Sequence, residues 1–454
     1  MFGPYPDYRR TDLKWFEYLP ESWAMLRTKQ MFRLVIEKAP ANNQMELLSV
    51  YTHIGVRPRK SLEQRGNKAS TTDGYWVVNE GDIICNKLLA WMGAIGASHY
   101  QGVTSPAYDV LRPLKSCNTD YYHFLFRTKK YLQQFKIRSR GIMDMRLRLY
   151  FDQFGQIAIP VPPRSEQDQI VAYLRAQDAH IARFIKTKRD LIKLLTEQKL
   201  RIIDHAVTRG LDAAVALKPS GIEWLGEVPA HWDVSKVKLL AHYINGFPFK
   251  PAEWGAEGRP IIRIQNLTRK HAPFNYYEGV IPERNHVKDG DILLSWSASL
   301  GVFVWNRGDA LLNQHIFKVV PDPKRITRGY FVWLAQWFLN HMEAEAHGST
   351  MQHITKPKFG SFPVPLPSLD EQAEIEAHIQ RETQGIDLAI TRTEDEIKLI
   401  REYRDCQIAD VVTGQVDVRG WQPGPEDMVD DAALAALGDD QEDVIEEEDG
   451  NGED

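Results

Sequence analysis

The sequence has few of the features that mark secreted, membrane-spanning or metal-binding proteins. It contains only three cysteines in 454 residues, Cys85, Cys117 and Cys406, and no C-x-x-C pair. A disulfide framework or a zinc site is therefore not expected. No run of eighteen apolar residues is present, and the opening Met1-Phe2-Gly3-Pro4-Tyr5-Pro6 lacks the basic and apolar regions of a signal peptide. We expect a cytoplasmic protein.

Motifs of the common catalytic sites are also missing. The chain has no G-x-x-x-x-G-K-[ST] phosphate loop, no H-E-x-x-H, no G-x-S-x-G and no G-x-G-x-x-G between a strand and a helix. The single Pro-Pro pair, Pro162-Pro163, lacks the Asn or Asp and the aromatic residue of an amino-methyltransferase base pocket. We therefore predict a binding or scaffolding protein with no catalytic residues, no metal site and no cofactor of its own.

Charge is unevenly distributed along the chain. Fourteen of the 61 acidic residues follow Trp421, where no Lys or Arg occurs, so residues 1–420 carry 47 acidic against 56 basic residues and a net charge of +9. We interpret residues 421–454 as an acidic, disordered and solvated tail. The alternative is a tail that competes with nucleic acid for the basic surface of the body.

A long segment of the sequence occurs twice. Residues 159–212 and 364–417 share a Pro-rich start and a Glu-Gln pair, and their counterparts lie 205 positions apart. The stretch Leu19-Pro20-Glu21-Ser22-Trp23 matches Val228-Pro229-Ala230-His231-Trp232, and Gly81-Asp82-Ile83-Ile84 matches Gly290-Asp291-Ile292-Leu293, at an offset of 209. The chain is therefore predicted to be two copies of one unit that differ by loop insertions and deletions.

Each copy predicts one long helix. No Gly or Pro interrupts residues 165–209, and Ser165 with Asp168 can form a capping box. About forty residues give a rod of roughly 60 Å. We expect the two helices to pair as an antiparallel coiled coil; the alternative is two unrelated surface helices, each packed on its own domain. The apolar stripes are Ile170, Leu174, Ile181, Phe184, Leu191, Leu195 and Ile202 in the first copy, and Ile375, Ile379, Ile386, Ile390, Ile397, Ile400 and Ile408 in the second, where Gly385 is a weak point.

The rest of each copy is predicted to be a mixed α/β (α+β) domain, and antiparallel pairing of the rods would make the molecule pseudo-two-fold symmetric. Short apolar runs at 75–78, 82–84, 260–264 and 291–294 predict strands, while 121–126 and 329–334 start shorter helices. The predicted divisions are an N-terminal extension at 1–14, a first domain at 15–160, its helix and linker at 161–212, a second domain at 213–365, its helix at 366–420, and the tail at 421–454.

Basic, amide and aromatic residues in both domains suggest DNA binding. Cations contact phosphates, whereas Arg, Asn and Gln can read bases. Taken singly, each cation is better explained as a solvated charge and each Trp as core; the duplicated basic domains without a catalytic motif favour DNA. The candidates are His53, Arg57, Arg59, Lys60, Arg65, Asn86, Lys87, Arg138, Arg140, Arg146 and Arg148 in the first domain, and Arg263, Gln265, Asn266, Arg269, Lys270, Trp296, Asn313, Gln314, His315 and Lys356 in the second.

The repeated Pro-x-Pro-Pro/Ser-x-x-Glu-Gln box, the Leu/Val-Pro-x-x-Trp motif and the Gly-Asp-Ile-Ile/Leu strand resemble those of the specificity subunit of Type I restriction-modification enzymes, over about residues 15–420. The resemblance implies two target-recognition domains, each reading one half of a split double-stranded DNA target, and two helices that set the distance between the halves.

The resemblance also implies partners that carry the chemistry. These are two adenine-specific methyltransferase subunits, which use S-adenosylmethionine, and restriction subunits that translocate DNA with ATP and Mg²⁺. Candidate residues for partner or helix interfaces are Glu166, Gln167, Ile170, Leu174, Ile181, Leu191, Leu195, Glu371, Gln372, Ile375, Ile379, Ile386 and Ile397.

Two other function classes remain open from the residues. A coiled-coil assembly adaptor would explain the rods but not the duplicated basic domains, and it would not bind random duplex at low salt. A nuclease or methyltransferase with an unrecognised site would cleave or modify DNA when given Mg²⁺ and S-adenosylmethionine.

Overall fold

The computed structural model describes residues 2–52, 54–59, 72–141, 147–269, 272–296, 300–346 and 356–429, together with residues 434 and 437. The chain divides into two compact units. Unit 1 comprises Met1–Asp190 and Thr393–Asp454, and unit 2 comprises Leu191–Arg392. Each unit therefore contains one domain and part of both long helices, and the domain bounds set out above stay a prediction.

The first half of the chain folds into twelve strands and five α-helices among the described residues. In order these are β1 (Tyr8–Leu13), β2 (Phe16–Pro20), β3 (Ala24–Arg27), α1 (Thr28–Met31), β4 (Phe32–Val35), β5 (Leu48–Tyr51), β6 (Gly55–Pro58), β7 (Trp76–Val78), β8 (Ile83–Asn86), β9 (Ile95–Ala97), β10 (Gly102–Thr104), β11 (Tyr108–Pro113), α2 (Thr119–Phe126), α3 (Lys129–Arg138), α4 (Phe151–Phe154), β12 (Ala158–Val161) and α5 (Arg164–Arg209).

The second half follows with the same kinds of element. In order these are β13 (Leu217–Pro219), β14 (Glu227–Pro229), β15 (Asp233–Lys236), β16 (Ala241–Asn245), β17 (Arg259–Ile262), α6 (Ile264–Thr268), β18 (Asn275–Tyr277), β19 (His286–Val287), β20 (Ile292–Ser295), β21 (Gly301–Val304), β22 (Ala310–Leu312), β23 (Ile316–Pro321), α7 (Arg328–Ala346), α8 (Lys356–Ser361), β24 (Pro363–Leu366) and α9 (Leu369–Val412).

The central sheet of each domain has the same strand order. It is β4-β11-β8-β9 in the first domain and β16-β23-β20-β21 in the second, with antiparallel neighbours throughout. The second-copy strand β20 begins 209 positions after β8. All four residues of each of these strands are buried, which explains why their apolar runs do not alternate. The shared topology confirms that one mixed α/β fold is used twice.

Two smaller ladders are also repeated. The hairpin β1–β2 corresponds to β13–β14, and the pair β3–β12 corresponds to β15–β24. The β3–β12 pair and the β15–β24 pair each join the start of a domain to the Pro-rich strand that leads into its long helix. The sequence motifs at both ends of a domain are therefore held together by backbone hydrogen bonds.

The domains differ in their outer sheets. The second domain has the order β18-β17-β22-β19, in which β17 and β22 are parallel. In the first domain β5–β6 and β7–β10 are separate ladders joined by a parallel bridge between Leu47 and Val103. The predicted strand at 260–264 ends at Ile262, because Ile264 already belongs to α6. The structural differences thus lie where the two halves of the sequence diverge.

Both long helices are continuous, and α9 passes through Gly385 without a break. Within unit 1, Tyr173 pairs with Gln407, Asp178 with Arg404, and Lys188 with Glu396. Residue numbers that increase along α5 are thus paired with residue numbers that decrease along α9, as in antiparallel helices. Within unit 2, Lys199 pairs with Asp387, and Ile203 and Val207 share a core with Ile375 and Ile379. The predicted antiparallel pairing is confirmed within each unit.

Two details of the helix prediction are wrong. The first helix begins at Arg164, and Asp168 accepts hydrogen bonds from Arg164 and Asn118 instead of forming a capping box with Ser165. A capping box does form in the second copy, between Ser368 and Glu371.

The apolar stripe of the first helix is also shifted from the prediction. Leu191 is 40% exposed and Phe184 is 39% exposed, while Ile203 is fully buried in place of Ile202. Residues repeated every seven positions do not stay on one side of a helix with 3.6 residues per turn. Their position therefore moves around the helix, and different residues face the partner helix farther along. None of the described helices combines the length and apolarity needed to cross a bilayer.

Candidate DNA-reading surfaces and helix junctions

Several predicted contact residues cannot be placed. His53, Lys60, Arg65, Arg146 and Lys270 lie outside the described residues. Lys356 is the first residue of α8.

Two predicted cations lie on the β5–β6 hairpin. Arg57 is paired across the hairpin with Ser49, and the backbone of Arg59 donates to the carbonyl of Leu47 at 2.8 Å. Both arginines are half-buried. Burial raises the pKa of the neighbouring Tyr51 phenol, an effect that the positive charge of Arg59 opposes. The hairpin therefore presents two cations close together.

Three further cations of the first domain come together from separate loops. Arg140 and Arg148 exchange two backbone hydrogen bonds of 2.9 Å, and the next residue, Leu149, donates to the carbonyl of Lys87 at 2.9 Å. Arg140 is exposed and pairs with Asp152 at 3.0 Å, and Arg148 is also exposed. We call Lys87, Arg140 and Arg148 the first cluster.

The first cluster has anchored and exposed members. The ammonium of Lys87 donates to the carbonyl of Pro106 at 2.9 Å and lies 3.4 Å from Asp109. Arg138, nearby in sequence, is half-buried and donates to Gln134 within its own helix. Arg140 and Arg148 are therefore the members most open to phosphate contact.

In the second domain, predicted residues meet at the end of the central sheet. Trp296 directly follows β20, and Gln314 and His315 are exposed in the turn before β23. The rings of Trp296 and His315 lie 6.1 Å apart, and Trp296 stacks on Phe317 at 5.8 Å. The Trp296 indole N–H is buried and has no hydrogen-bond partner among the described residues. We call Trp296, Gln314 and His315 the second cluster.

The two clusters occupy the same place in the repeated fold. Lys87 follows β8 and Trp296 follows β20, and these strands are equivalent members of the central sheets, with the two residues 209 positions apart. Each domain thus carries chemically different side chains on the same end of the same sheet. This is the arrangement expected of two readers that share a scaffold and differ in what they bind.

Three predicted base readers are instead structural. Asn86 is 2% exposed, Asn266 is fully buried and Asn313 is 8% exposed. The Asn86 side-chain carbonyl accepts from the backbone N–H of Leu88 at 3.0 Å, and the Asn266 amide donates to Pro273 at 3.0 Å. Asparagine at the end of a strand, or in the first turn of a helix as at Asn266, often stabilises the local backbone in this way. In this structure their side chains are bonded within the protein and are not open to a base.

The remaining candidates of the second domain surround α6. Arg263 lies with its guanidinium 4.6 Å above the ring of Trp254 and donates to Asn275 at 2.9 Å. Gln265 is half-buried within α6, and Arg269 is exposed at its end. The backbone of Asn313 donates to Ile262, which brings α6 next to the turn that carries the second cluster.

The Glu-Gln box of unit 1 joins the first helix to its own domain. Glu166 is 6% exposed and accepts hydrogen bonds from the indole of Trp23, at 2.9 Å, and from the phenol of Tyr5. Gln167 is 1% exposed; it accepts from the backbone N–H of Asn118 at 2.8 Å and donates to Pro162 at 2.9 Å. Burial and the Glu166 carboxylate raise the pKa of Tyr5 well above its usual range.

The box of unit 2 repeats this arrangement. Glu371 accepts from the indole of Trp232 at 3.1 Å and lies 2.7 Å from the ring nitrogen of His231. Gln372 is fully buried and accepts from the backbone N–H of Thr327 at 2.7 Å. Partial burial would raise the pKa of Glu371, but the hydrogen bonds from His231, Trp232 and Ser368 outweigh it and lower that pKa.

These contacts explain why the sequence repeats the Pro-x-x-Trp motif together with the Glu-Gln box. Local sequence reasoning missed the link, because the tryptophan and the glutamate are 143 and 139 residues apart in the two copies. Glu166, Gln167 and Gln372, predicted for a partner or helix interface, are buried where each helix joins its own domain.

The other interface candidates lie as follows. Ile170, Leu174, Ile181, Ile375, Ile379, Ile386 and Ile397 are buried, Leu195 is half-buried and Leu191 is exposed.

Each long helix is followed by a glycine that lies against the Pro-x-x-Trp motif of its own unit. Gly210 has φ +73° and Gly414 has φ +75°, a left-handed conformation that favours glycine at a helix end. A Cβ added to Gly210 would lie 3.1 Å from Trp232, and one added to Gly414 would lie 2.5 Å from Pro20. Both the start and the end of the helices are therefore fixed to the tryptophan motif within a unit.

Comparison with known proteins gives the family. The sequence model of the Type I restriction modification DNA specificity domain matches residues 20–194 and again residues 229–399, which together are well over half of the chain. The chain is 24% identical over 430 residues to the Type I restriction enzyme MjaVIII specificity subunit of Methanocaldococcus jannaschii, covering 88% of this chain and 94% of that one. It is 26% identical over 187 residues to the EcoBI specificity subunit of Escherichia coli, covering 41% of this chain and 39% of that one.

A solved structure supports the fold. It comes from a study of complex assembly and conformational transition of the Type I R-M system, and it matches with a TM-score of 0.56 at 15% identity, covering 88% of this chain and 99% of that chain. With two tandem copies of the matching domain, this chain belongs to the family of Type I restriction-modification specificity subunits, which recognise a DNA target.

Proposed function

We propose that each domain reads one half of a split DNA target, the first through the β5–β6 hairpin and the first cluster, the second through the second cluster and α6. The observation that carries this proposal is the equivalent position of Lys87 and Trp296 at the same end of two matching sheets. One fold with two different sets of side chains gives two readers of different sequence preference.

The side chains of the two domains suit different parts of this task. Exposed cations such as Arg140 and Arg148 contact phosphates with an affinity that does not depend on sequence and falls with salt. Gln314 offers an amide that can form paired hydrogen bonds with a base edge, and His315 a ring nitrogen beside it. The half-buried indole of Trp296 adds a planar surface. Gln314 and His315 therefore determine the sequence preference of the second domain, and Arg57 and Arg59, whose guanidinium groups can also bind a guanine edge, determine that of the first; overall affinity depends more on Arg140 and Arg148.

The paired helices act as the spacer between the half-sites in this proposal. The half-sites would lie about one helical turn apart on one face of the duplex, about 34 Å, or a multiple of that distance. The chain itself is proposed to be non-catalytic. Two methyltransferase subunits with S-adenosylmethionine would modify adenine, and restriction subunits with ATP and Mg²⁺ would translocate and cleave.

Binding of a random duplex library by the purified chain tests this function. The Trp296→Ala/His315→Ala variant should relax the base preference of one half-site by about 10- to 100-fold and leave the other half unchanged. The Arg140→Gln/Arg148→Gln variant should weaken binding to all sequences and reduce the slope of log affinity against log salt by about two. Sequencing of bound duplexes and salt titrations provide the two measurements.

A charge-matched control separates local contact from net charge. Arg381→Gln/Arg392→Gln removes two exposed helix cations, and it should change the salt slope less than the Arg140 and Arg148 substitutions. An equal change would contradict the assignment of the first cluster to phosphate contact. No binding to random duplex at low salt would favour the assembly adaptor instead.

A further inference from the structure

Four main-chain carbonyls converge on the guanidinium group of Arg127, the residue that ends α2. It donates to the carbonyl of Thr52, at 2.5 Å, and to that of Tyr51, at 3.4 Å, both where β5 turns toward β6. It also donates to the carbonyls of Gly93, at 2.8 Å, and Ile95, at 3.2 Å, beside the central sheet. Every hydrogen bond of this side chain among the described residues therefore goes to backbone, and two of them hold the turn of the β5–β6 hairpin.

The guanidinium group suits this position chemically. Burial and the nearby charge of Arg404 lower the pKa of Arg127 to about 10, an effect that Asp405 opposes. The side chain is therefore still protonated at neutral pH. A planar guanidinium group with five N–H donors can bond carbonyls that lie in different directions, whereas a lysine ammonium group is a single point charge. Arginine can thus fix several backbone segments relative to one another.

The ring of His123, one turn earlier in α2, lies against both the hairpin and the central sheet. A Cβ added to Gly55 would lie 2.7 Å from Cε1 of His123, and one added to Gly96 would lie 2.8 Å from its Nδ1. Gly55 also has φ +79°, a conformation that favours glycine. Burial and the charge of Arg127 lower the pKa of His123 to about 3, so the ring is neutral at neutral pH. Glycine at both positions leaves room for the ring, and the hairpin packs directly on α2.

Helix α2 is itself fixed to both long helices within unit 1. The carboxylate of Asp120 accepts from Arg175 of α5 at 2.7 Å. The phenol of Tyr121 donates to the carbonyl of Val412, the last residue of α9, at 2.8 Å. A continuous set of direct contacts therefore runs from the long helices through α2 to the β5–β6 hairpin. These contacts set the orientation of the hairpin relative to the helices.

We propose that Arg127 is a positioning residue for the first reader: it holds the β5–β6 hairpin so that Arg57 and Arg59 meet base edges, and it makes no contact with DNA itself. This rests on the proposed function, which assigns the hairpin to the first half-site. A hydrogen bond to a base edge weakens steeply when its donor moves out of line. Attraction between a cation and a phosphate changes little over the same movement. Loss of the anchor therefore reduces sequence preference more than overall affinity.

Selection of bound duplexes from a random library by the purified full chain tests the anchor. The first half-site is identified as the one that Trp296→Ala/His315→Ala leaves unchanged. Arg127→Ala should relax the base preference of that half-site by about tenfold or more and leave the other half-site unchanged. The slope of log affinity against log salt should stay the same, because no phosphate contact is lost.

Two further measurements address the same contact independently. Gly55→Ala acts from the hairpin side, where the added Cβ meets His123, and should relax the same half-site. Guanidinium chloride, added to Arg127→Ala at concentrations well below those that unfold proteins, supplies the missing group and should restore the preference. An equal concentration of sodium chloride should not restore it.

A matched control removes another well-bonded arginine of the first domain. Arg112 donates to both carboxylate oxygens of Asp82, at 3.0 and 2.9 Å, at the end of β8 away from Lys87. Arg112→Ala leaves Asp82 unpaired at 2% exposure, so it should lower the midpoint of denaturant unfolding. Both half-site preferences should nevertheless stay unchanged.

The outcomes separate this inference from the function on which it rests. An unchanged first half-site in both Arg127→Ala and Gly55→Ala would overturn the positioning role. Equal relaxation of both half-sites in Arg127→Ala, or the same relaxation of the first half-site in Arg112→Ala, would also overturn it, because either result is that of a general loss of stability. A full chain that selects no bipartite target would instead overturn the proposed function itself.

Discussion

Removal of seven residues from each long helix is expected to shorten the unread gap between the half-sites by about three base pairs and to leave the bases of each half-site unchanged. Seven residues are two helical turns, about 10 Å, and base pairs are stacked about 3.4 Å apart. Residues 188–194 of α5 and 390–396 of α9 are suitable, because the antiparallel register pairs Lys188 with Glu396. Affinity for the original target should fall by about a thousandfold or more.

Selection from a random duplex library measures both the gap and the half-sites. Deletion from one helix alone is the control, because it shifts one rod against the other and breaks pairs such as Asp178 with Arg404. That variant should lose stability, whereas the matched pair of deletions keeps the register. Altered half-site bases with an unchanged gap would contradict the role of the helices as a spacer.

Arg404→Met is expected to lower the free energy of unfolding of unit 1 by about 2–4 kcal/mol. The Asp178 side chain is only 10% exposed and accepts two hydrogen bonds from the Arg404 guanidinium, at 2.6 and 2.8 Å. Burial alone would lower the pKa of Arg404, but the carboxylate of Asp178 has the larger effect and raises that pKa. The substitution leaves the buried Asp178 carboxylate without its partner, and an unpaired buried charge destabilises the folded state.

Denaturant unfolding with matched variants measures this effect. The double variant Asp178→Leu/Arg404→Met should recover most of the loss, because no unpaired charge remains. Lys188→Met removes one partner of a more exposed pair with Glu396 and should cost less than about 1 kcal/mol. Equal losses of unfolding free energy from Arg404→Met and Lys188→Met would show that burial does not increase the contribution of the Asp178–Arg404 pair to stability.

Repeats and periodic patterns in the sequence predicted the architecture well. The 205-residue offset of the Glu-Gln box and the uninterrupted apolar stripes predicted two long antiparallel helices, and the structure contains them as α5 and α9. The apolar run at 291–294 predicted β20 to within one residue. These features depend on local hydrophobic periodicity, which is present in the order of the residues.

The details of the site depended on contacts between distant residues. The sequence placed Lys87 apart from Arg140 and Arg148, and only the folded chain joins them through the backbone of Leu149. Asn86 had the right chemistry for a base contact, but its side chain stabilises the turn after β8. A residue type that can read a base can equally satisfy a backbone group, and sequence alone does not distinguish the two.

The positions of adenines methylated by the partner methyltransferase in the presence of this chain test most directly whether the chain carries two readers. The two proteins are co-expressed, and modified adenines are located by sequencing. We expect one bipartite motif with a fixed gap, and we expect Trp296→Ala/His315→Ala to relax the bases on one side of the gap only. A single continuous motif, or loss of base preference on both sides in that variant, would contradict two readers on one chain.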